Sequence, residues 1–340
     1  MAQKRLRNSF NTEASNEALQ DFVAAAKAGD VLCVEKFVRK YPDAIDIGIY
    51  HHSYVGRTAL QWAAEAGQAD VVDLLIKKGA DVNATESYDR TAVTLAAGVG
   101  RKDIVEKLIA AGAELNDGRS PLSAAARHGH ADIVQLLLDN GAIADKYALK
   151  SAAGSGKRDI VENLVAHGAV AEAGAVTSAA VSGHREIVEL LLDLGAKAES
   201  EALRVTAQNG HADVAALLIK RGAPVGENPG EWLTPLMEAA SRGHKDVIAV
   251  LLVNGADINQ KNARGSTALM YAASSGVAGT LRLLLDNGAD TALKTDDGLT
   301  TLDITRRFLK IWPESELLKD NEAALTGKPA NHNRPTPPTL

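Results

Sequence analysis

A glycine–alanine pair closes an apolar run eight times along this chain, with its glycine at 79, 112, 141, 168, 195, 222, 255 and 288. No other feature limits the fold as much. Each pair closes a short apolar run such as Asp70–Gly79 (DVVDLLIKKG), and the run ahead of that one ends in a glycine of its own, Gly67. Glycine enters the left-handed conformation that ends a helix without a Cβ penalty. Each unit therefore predicts two short helices and a connection. A unit that small cannot bury its apolar stripe alone, so units must stack. Length alone would suggest two domains for 340 residues, but the internal period replaces that expectation. Composition agrees: 46% of residues are hydrophobic but only 4% aromatic, which suits thin layers of small helices.

The stretch Arg57–Asp89 (RTALQWAAEAGQADVVDLLIKKGADVNATESYD) serves as prototype. Thr58 is placed to cap the first helix. Leu60, Ala63 and Ala64 form a stripe that lets neighbouring helices approach closely. Asp70 favours the start of the second helix, whose dipole attracts an anion there. Val71, Val72, Leu74, Leu75 and Ile76 are the packing residues, and 80–89 is a turn. Ahead of the prototype, Leu19, Phe22, Val23 and Ala26 fall on one helical face from Asn16 onward, closed by Gly29. Val31–Lys40 is a second helix ended by Tyr41–Pro42, and 43–56 is an extended loop.

The pattern TALxxAAxxGxxDVVxLLIxxGADVNA resembles the ankyrin repeat, and 120–142, 234–259 and 267–290 repeat it. The resemblance covers residues 16–312 and implies an all-α repeat solenoid of about eight to ten stacked helix-turn-helix units carrying β-hairpin fingers. Two departures stand out. The histidine expected after Thr-Pro-Leu is replaced by Gln61, Ser123, Met237 and Met270, so its buried hydrogen bond must be made otherwise or lost. The successive glycines are 33, 29, 27, 27, 27, 33 and 33 residues apart. The helices keep their length, so the loss falls on the connections. Six residues, as from Gly141 to Tyr147, cannot form both legs and the tip of a hairpin. Full fingers are thus expected on either side of a stretch, about residues 113–201, where they are shortened or absent.

Residues 1–15 are polar and expected to be disordered. A terminal capping helix follows Thr300, with Ile304, Phe308, Ile311 and Trp312 on its apolar side and Arg306, Arg307 and Lys310 opposite. A short helix at 313–325 and a disordered Pro-rich tail at 326–340 complete the reading. The Pro-Thr-Pro-Pro run offers a ligand for a proline-reading domain or a plain solubilising tail.

The chain has 37 Lys and Arg against 43 Asp and Glu, a net charge of −6, which argues against a general nucleic-acid binder. Its single cysteine, Cys33, excludes an intrachain disulfide, and its apolar neighbours suggest a packed thiol. The basic start MAQKRLRNSF has no apolar stretch after it, so neither a secretory signal nor a membrane span is expected and a cytoplasmic location is. No GxGxxG after a strand, P-loop, GxSxG or HExxH is present, so no catalytic, cofactor-binding or metal-binding residues are assigned. His130, His184, His211 and His244 recur in one unit position, which points to structure. His51–His52 makes a poor chelate. Asn83, Asn116 and Asn259 read as turn stabilisers, although their surroundings are similar to those of hydroxylated asparagines in the family.

The resemblance also implies where a partner protein binds, along the concave groove of first helices and the finger tips. Arg57, Arg90, Arg119 and Lys146 stand just before four successive first helices and would form a cationic ladder suited to an acidic protein segment. Alternatively, Asp89, Asp117 and Asp145 neutralise them. Among the scarce aromatics, Tyr54, Trp62, Tyr88 and Trp232 are candidate anchors, although Trp62 and Tyr271 also suit inward positions. The expectation is a non-catalytic, monomeric protein-binding scaffold or adaptor. Alternatives are a regulatory inhibitor or effector of another protein, or an enzyme with an unrecognised site.

Overall fold

A computed structural model describes residues 14–51, 54–116, 120–226, 233–275, 277 and 279–327. Of the tails expected to be disordered at 1–15 and 326–340, residues 1–13 and 328–340 lie outside the described residues, while Ser15 caps the first helix and Thr326 ends the last one. The chain divides into two compact units, Met1–Val170 and Ala171–Leu340.

In the first unit, helices alternate between two layers. The first-helix layer holds α1 (Asn16–Ala28), α3 (Ala59–Ala66), α5 (Ala92–Gly98), α7 (Pro121–His128) and α9 (Lys146–Gly154). The second layer holds α2 (Val31–Lys40), α4 (Ala69–Lys77), α6 (Lys102–Ala110), α8 (Ala131–Asp139) and α10 (Arg158–Ala166). Within this unit each helix packs on its hairpin partner and on its like in an adjacent repeat. Small residues make the close approach possible: Ala63, Ala64, Ala96, Ala97, Ala125, Ala126, Ala152 and Ala153 are all fully buried. The second helices contribute the branched side chains beneath them, such as Val71, Ile104, Ile133 and Val161. Thr58 and Asp145 accept hydrogen bonds from the first-turn N–H groups of α3 and α9, satisfying donors that the helix itself leaves open.

The second unit repeats this plan with α11 (Ala173–Val181), α13 (Ser200–Asn209), α15 (Pro235–Arg242) and α17 (Ala268–Ser275) in one layer. Their partners are α12 (Arg185–Asp193), α14 (Ala212–Lys220), α16 (Lys245–Val253) and α18 (Thr280–Asp286). It closes with α19 (Thr301–Ile311) and α20 (Glu316–Thr326). Only α19's Thr301 and Thr305 are fully inward, while Ile304 and Phe308 are half-buried. Ile311 and Trp312, expected on a packed face, are exposed. The reason is α20, which packs on α17, α18 and α19 and supplies its own buried Leu318 and Asn321.

Two side-chain types tie repeat to repeat. The histidine at the start of a second helix reaches back to a first-helix carbonyl, as in His130 to Gly98 O (3.2 Å), His211 to Val181 O (3.1 Å) and His244 to Gln208 O (3.0 Å). Gln68 plays this part on Lys27 O at 3.1 Å. Turn asparagines do the rest. Asn83 donates to Gly112 O (3.2 Å) and accepts from Glu114 N (2.8 Å), and Asn116 repeats the pattern with Gly141 O and Ile143 N. The histidine missing from the first helix is replaced at one position: Gln61 accepts from Thr58 N (2.9 Å) and donates to Ala84 O (2.8 Å) and Arg90 O (2.9 Å). It thus holds the next finger against α3.

Finger-like turns occupy 81–90, 257–266 and 290–299, each crossed by a backbone bond: Glu86 N to Arg90 O, Asn262 N to Ser266 O and Thr295 N to Leu299 O. Gly265 (φ +70°) and Gly298 (φ +75°) fill the left-handed corner of the later two, and Asp89 (φ +57°) fills it in the first. Aspartate is one of the few residues that visit this region at modest cost. The connections after α8 and α12 run directly into the next helix without a hairpin. The segment 43–56, expected as an extended loop, instead holds a 3-10 turn at Pro42–Ala44 and a hairpin of β1 (Ile49–His51) and β2 (Tyr54–Arg57).

Cys33 is exposed, contrary to the packed thiol expected. In α2 the inward residues are Val34, Phe37 and Val38, which turns Leu32 (79% exposed) and Cys33 outward. The Asp30 carboxylate beside the thiol, by hydrogen bond and charge, pushes its pKa up.

Candidate protein-binding surface

The expected cationic ladder begins at Arg57, the last residue of β2, and this position decides its fate. The hairpin folds the guanidinium back over α3, where it is 1% exposed. It donates to both oxygens of Glu65, at 2.7 and 2.9 Å, and stacks over the Trp62 ring at 4.2 Å. Lys27 approaches the same ring at 4.9 Å. Trp62 is itself buried (6% exposed), so Arg57 and Trp62 form part of the packing between the first repeats.

Arg90 follows the same logic at the next finger. Its Nε donates to Glu86 Oε1 at 2.8 Å, and its guanidinium lies 5.4 Å from the Tyr88 ring. Burial opposes the Glu86 charge, but the Arg90 hydrogen bond and charge, with the backbone N–H groups of Tyr88 and Arg90, outweigh it and hold this carboxyl below its ordinary pKa. A folded pKa below the unfolded one means stability that is present above the ordinary glutamate value of about 4.3 and lost as pH falls through the lowered value. The protection of amides at 86–91, taken relative to their intrinsic exchange rates, should therefore fall on acidification from roughly pH 5 to pH 3, and a Glu86→Gln variant should show no such step. Equal acid response in the two proteins would remove this account.

Among the described residues, the aspartates next in sequence to the ladder serve the backbone. Asp89 forms the finger corner, and Asp145 caps α9, accepting from Tyr147 N (3.1 Å) and Ala148 N (2.8 Å). The partners are Glu65 and Glu86, eight residues after and four before their arginines. Arg119, Asp117 and Trp232 lie outside the described residues. Tyr54 stands in β2, across from His51. Tyr88 is 48% exposed at the first full finger. Lys146 opens α9, exposed, with its ammonium 5.4 Å from the ring of Tyr147.

Residues beyond these candidates complete the surface. Tyr147 is 62% exposed, and Lys150 lies one helical turn beyond Lys146. Arg127 stands exposed on α7, the helix against which α9 packs. Lys150 occupies the unit position of Gln61 and Ser123, so lining up the repeats on their glycines would have pointed to it. In the second unit the comparable position is neutralised: Arg204 binds Glu201 with two hydrogen bonds (2.9 and 2.8 Å) and buried Glu238 at 2.7 Å. An open groove of about 640 Å³ there, lined by Ser274, Ser275, Ile311, Trp312, Pro313 and Leu318 among others, holds no cluster of titratable groups. Among the described residues no group of histidine, cysteine and carboxylate side chains is arranged to hold a metal ion, and no helix is long and apolar enough to cross a membrane.

The family model described as ankyrin repeats (3 copies) matches residues 22–117, 100–174, 176–262 and 203–295. The chain belongs to the ankyrin repeat family. Inversin from Danio rerio is 30% identical over 113 residues, which are 31% of this chain and 8% of that protein. The chain thus spans a small part of that relative's length. The crystal structure of the human ASB11 ankyrin repeat domain is similar at 27% identity, covering 69% of this chain and 99% of that one, with a TM-score of 0.46. Ankyrin repeats are generally protein–protein interaction modules. In this ankyrin chain Arg57 and Arg90 are each held by a carboxylate of their own repeat or finger, while Tyr147, Lys146 and Lys150 stand exposed on a first helix.

Proposed function

We propose that the chain is a non-catalytic scaffold, cytoplasmic and monomeric, that binds a partner protein carrying an acidic segment. The observation behind this reading is the contrast between the inward residues, which the stacking uses fully, and a few large side chains on the first helices and fingers that it leaves in solvent. Tyr88 and Tyr147 are the clearest of them. Aromatic side chains held on rigid elements are efficient anchors, because binding orders little additional chain. The lone cysteine suits a reducing compartment.

The test is capture from the native cell with the tagged full chain and with a Tyr88→Ala/Tyr147→Ala variant, followed by reconstitution with the purified candidate. A protein retained by the first and lost by the second, and binding the purified chain directly, supports the reading. Identical capture by both chains counts against it.

A further inference from the structure

Charge on the first helices from α3 to α9 is strongly one-sided, unlike α1, which carries Glu17 and Asp21. Across α3, α5, α7 and α9 the single carboxylate is Glu65, and Arg57 takes both of its oxygens. Against it stand Arg127, Lys146 and Lys150, all exposed, and none forms an ion pair with another described residue. The nearest anion in sequence, Asp145, is engaged in capping α9. A basic patch therefore sits on a protein whose net charge is −6.

The position of Lys146 adds an independent argument. It occupies the first turn of α9, where the helix dipole disfavours a cation and favours Asp or Glu. No acidic residue stands in that turn. Helix stability does not account for this lysine, whereas attraction of an anion from outside does.

We infer that Arg127, Lys146 and Lys150, with Tyr147 as anchor, form a binding site for an extended acidic protein segment. This inference rests on the scaffold reading and names the chemistry and place of its contact. The dimensions fit. Residues four apart on a helix are separated by about 6 Å along its axis, and alternate residues of an extended chain by about 6.6–6.8 Å. Two carboxylates in an acidic-x-acidic pattern can thus face Lys146 and Lys150 together. Arg127 stands on the neighbouring helix, about 8–10 Å to the side and one further turn along its axis from Lys150 (about 6 Å), and takes a third carboxylate farther along the segment. The Tyr147 ring contacts the intervening side chain. The shortened connection after α8 leaves no hairpin beside α9 to cover this turn. A nucleic acid is disfavoured, because the acidic molecule repels a long polyanion beyond the patch.

The probe is a fluorescein-labelled peptide of twelve residues alternating Glu and Leu, read by anisotropy with the full chain. Binding should weaken roughly tenfold in the Lys146→Glu/Lys150→Glu variant and steeply with salt, since the screening length falls from about 10 Å at 0.1 M to about 3 Å at 1 M. The variant should fold, because Glu suits the start of α9 better than Lys, and circular dichroism checks this. Lys77→Glu/Lys102→Glu, on second helices, should leave binding unchanged. Equal affinity of the Lys146→Glu/Lys150→Glu variant, equal binding of a Gln-for-Glu peptide, or tighter binding of a single-stranded DNA twelve-mer would each overturn the site. If the site fails in this way while the partner captured above still depends on Tyr88 and Tyr147, the scaffold reading stands and this inference alone falls.

Discussion

Glu65→Ala should destabilise the N-terminal repeats by about 3 kcal/mol, the cost typical of breaking a buried ion pair by removing one partner. The Arg57 guanidinium is 1% exposed and would lose two charge-assisted hydrogen bonds while remaining inside the packing beside Trp62. Replacing both partners together, as Arg57→Met/Glu65→Leu, should recover most of the loss, because no buried charge then remains. Urea unfolding followed by amide exchange in α3 measures both. A single Glu65→Ala variant that unfolds like the wild type would show that the pair is energetically idle. The same geometry changes how a charge reversal at Arg57 must be read: it would damage the fold before it tested any partner.

The second large effect concerns the glycine that ends α13. Gly210 has φ +83°, and a Cβ there would lie 2.6 Å from His244 Nδ1. Gly210→Ala therefore carries a left-handed penalty of roughly 1–2 kcal/mol and also displaces the ring that bonds Gln208 O, worth about another 0.5–1.5 kcal/mol. Gly141 provides the control. It has a similar φ of +87° but nothing within 4 Å of its would-be Cβ. Gly141→Ala should thus show the backbone term alone, and the difference between the two variants isolates the histidine tie. Thermal unfolding of both proteins decides it, and equal losses would mean that the histidine contact contributes nothing.

Much of the architecture was legible in the residues. The glycine spacing located the helix hairpins from α3–α4 to α17–α18 and identified the connections too short for a finger. The recurrence of histidine in one unit position signalled an inter-repeat role, and the structure supplies the acceptor carbonyls. The surface was less legible. Cys33 and Leu32 lie among apolar neighbours yet face outward, because a helix of ten residues has one inward face and Val34, Phe37 and Val38 occupy it. Trp312 follows the apolar side of α19 in sequence, but α20 takes the place against which that side would have packed. The ladder of Arg57, Arg90, Arg119 and Lys146 was visible as a pattern, but its free charge was not.

The division has a physical cause. Helix formation, capping and helix termination act over three to four residues, so the sequence by itself determined the repeat, its glycine-ended helices and the missing central hairpins. Whether a charge is neutralised depends on distances of a few ångströms between groups that the chain brings together from afar. Arg204 meets Glu238 across 34 residues, and Lys107 meets Asp73 at 2.6 Å across the same interval. Only the tertiary structure decided that Arg57 and Arg90 are bound while Arg127, Lys146 and Lys150 remain exposed, because Coulomb attraction and desolvation follow separation in space and burial rather than order along the chain.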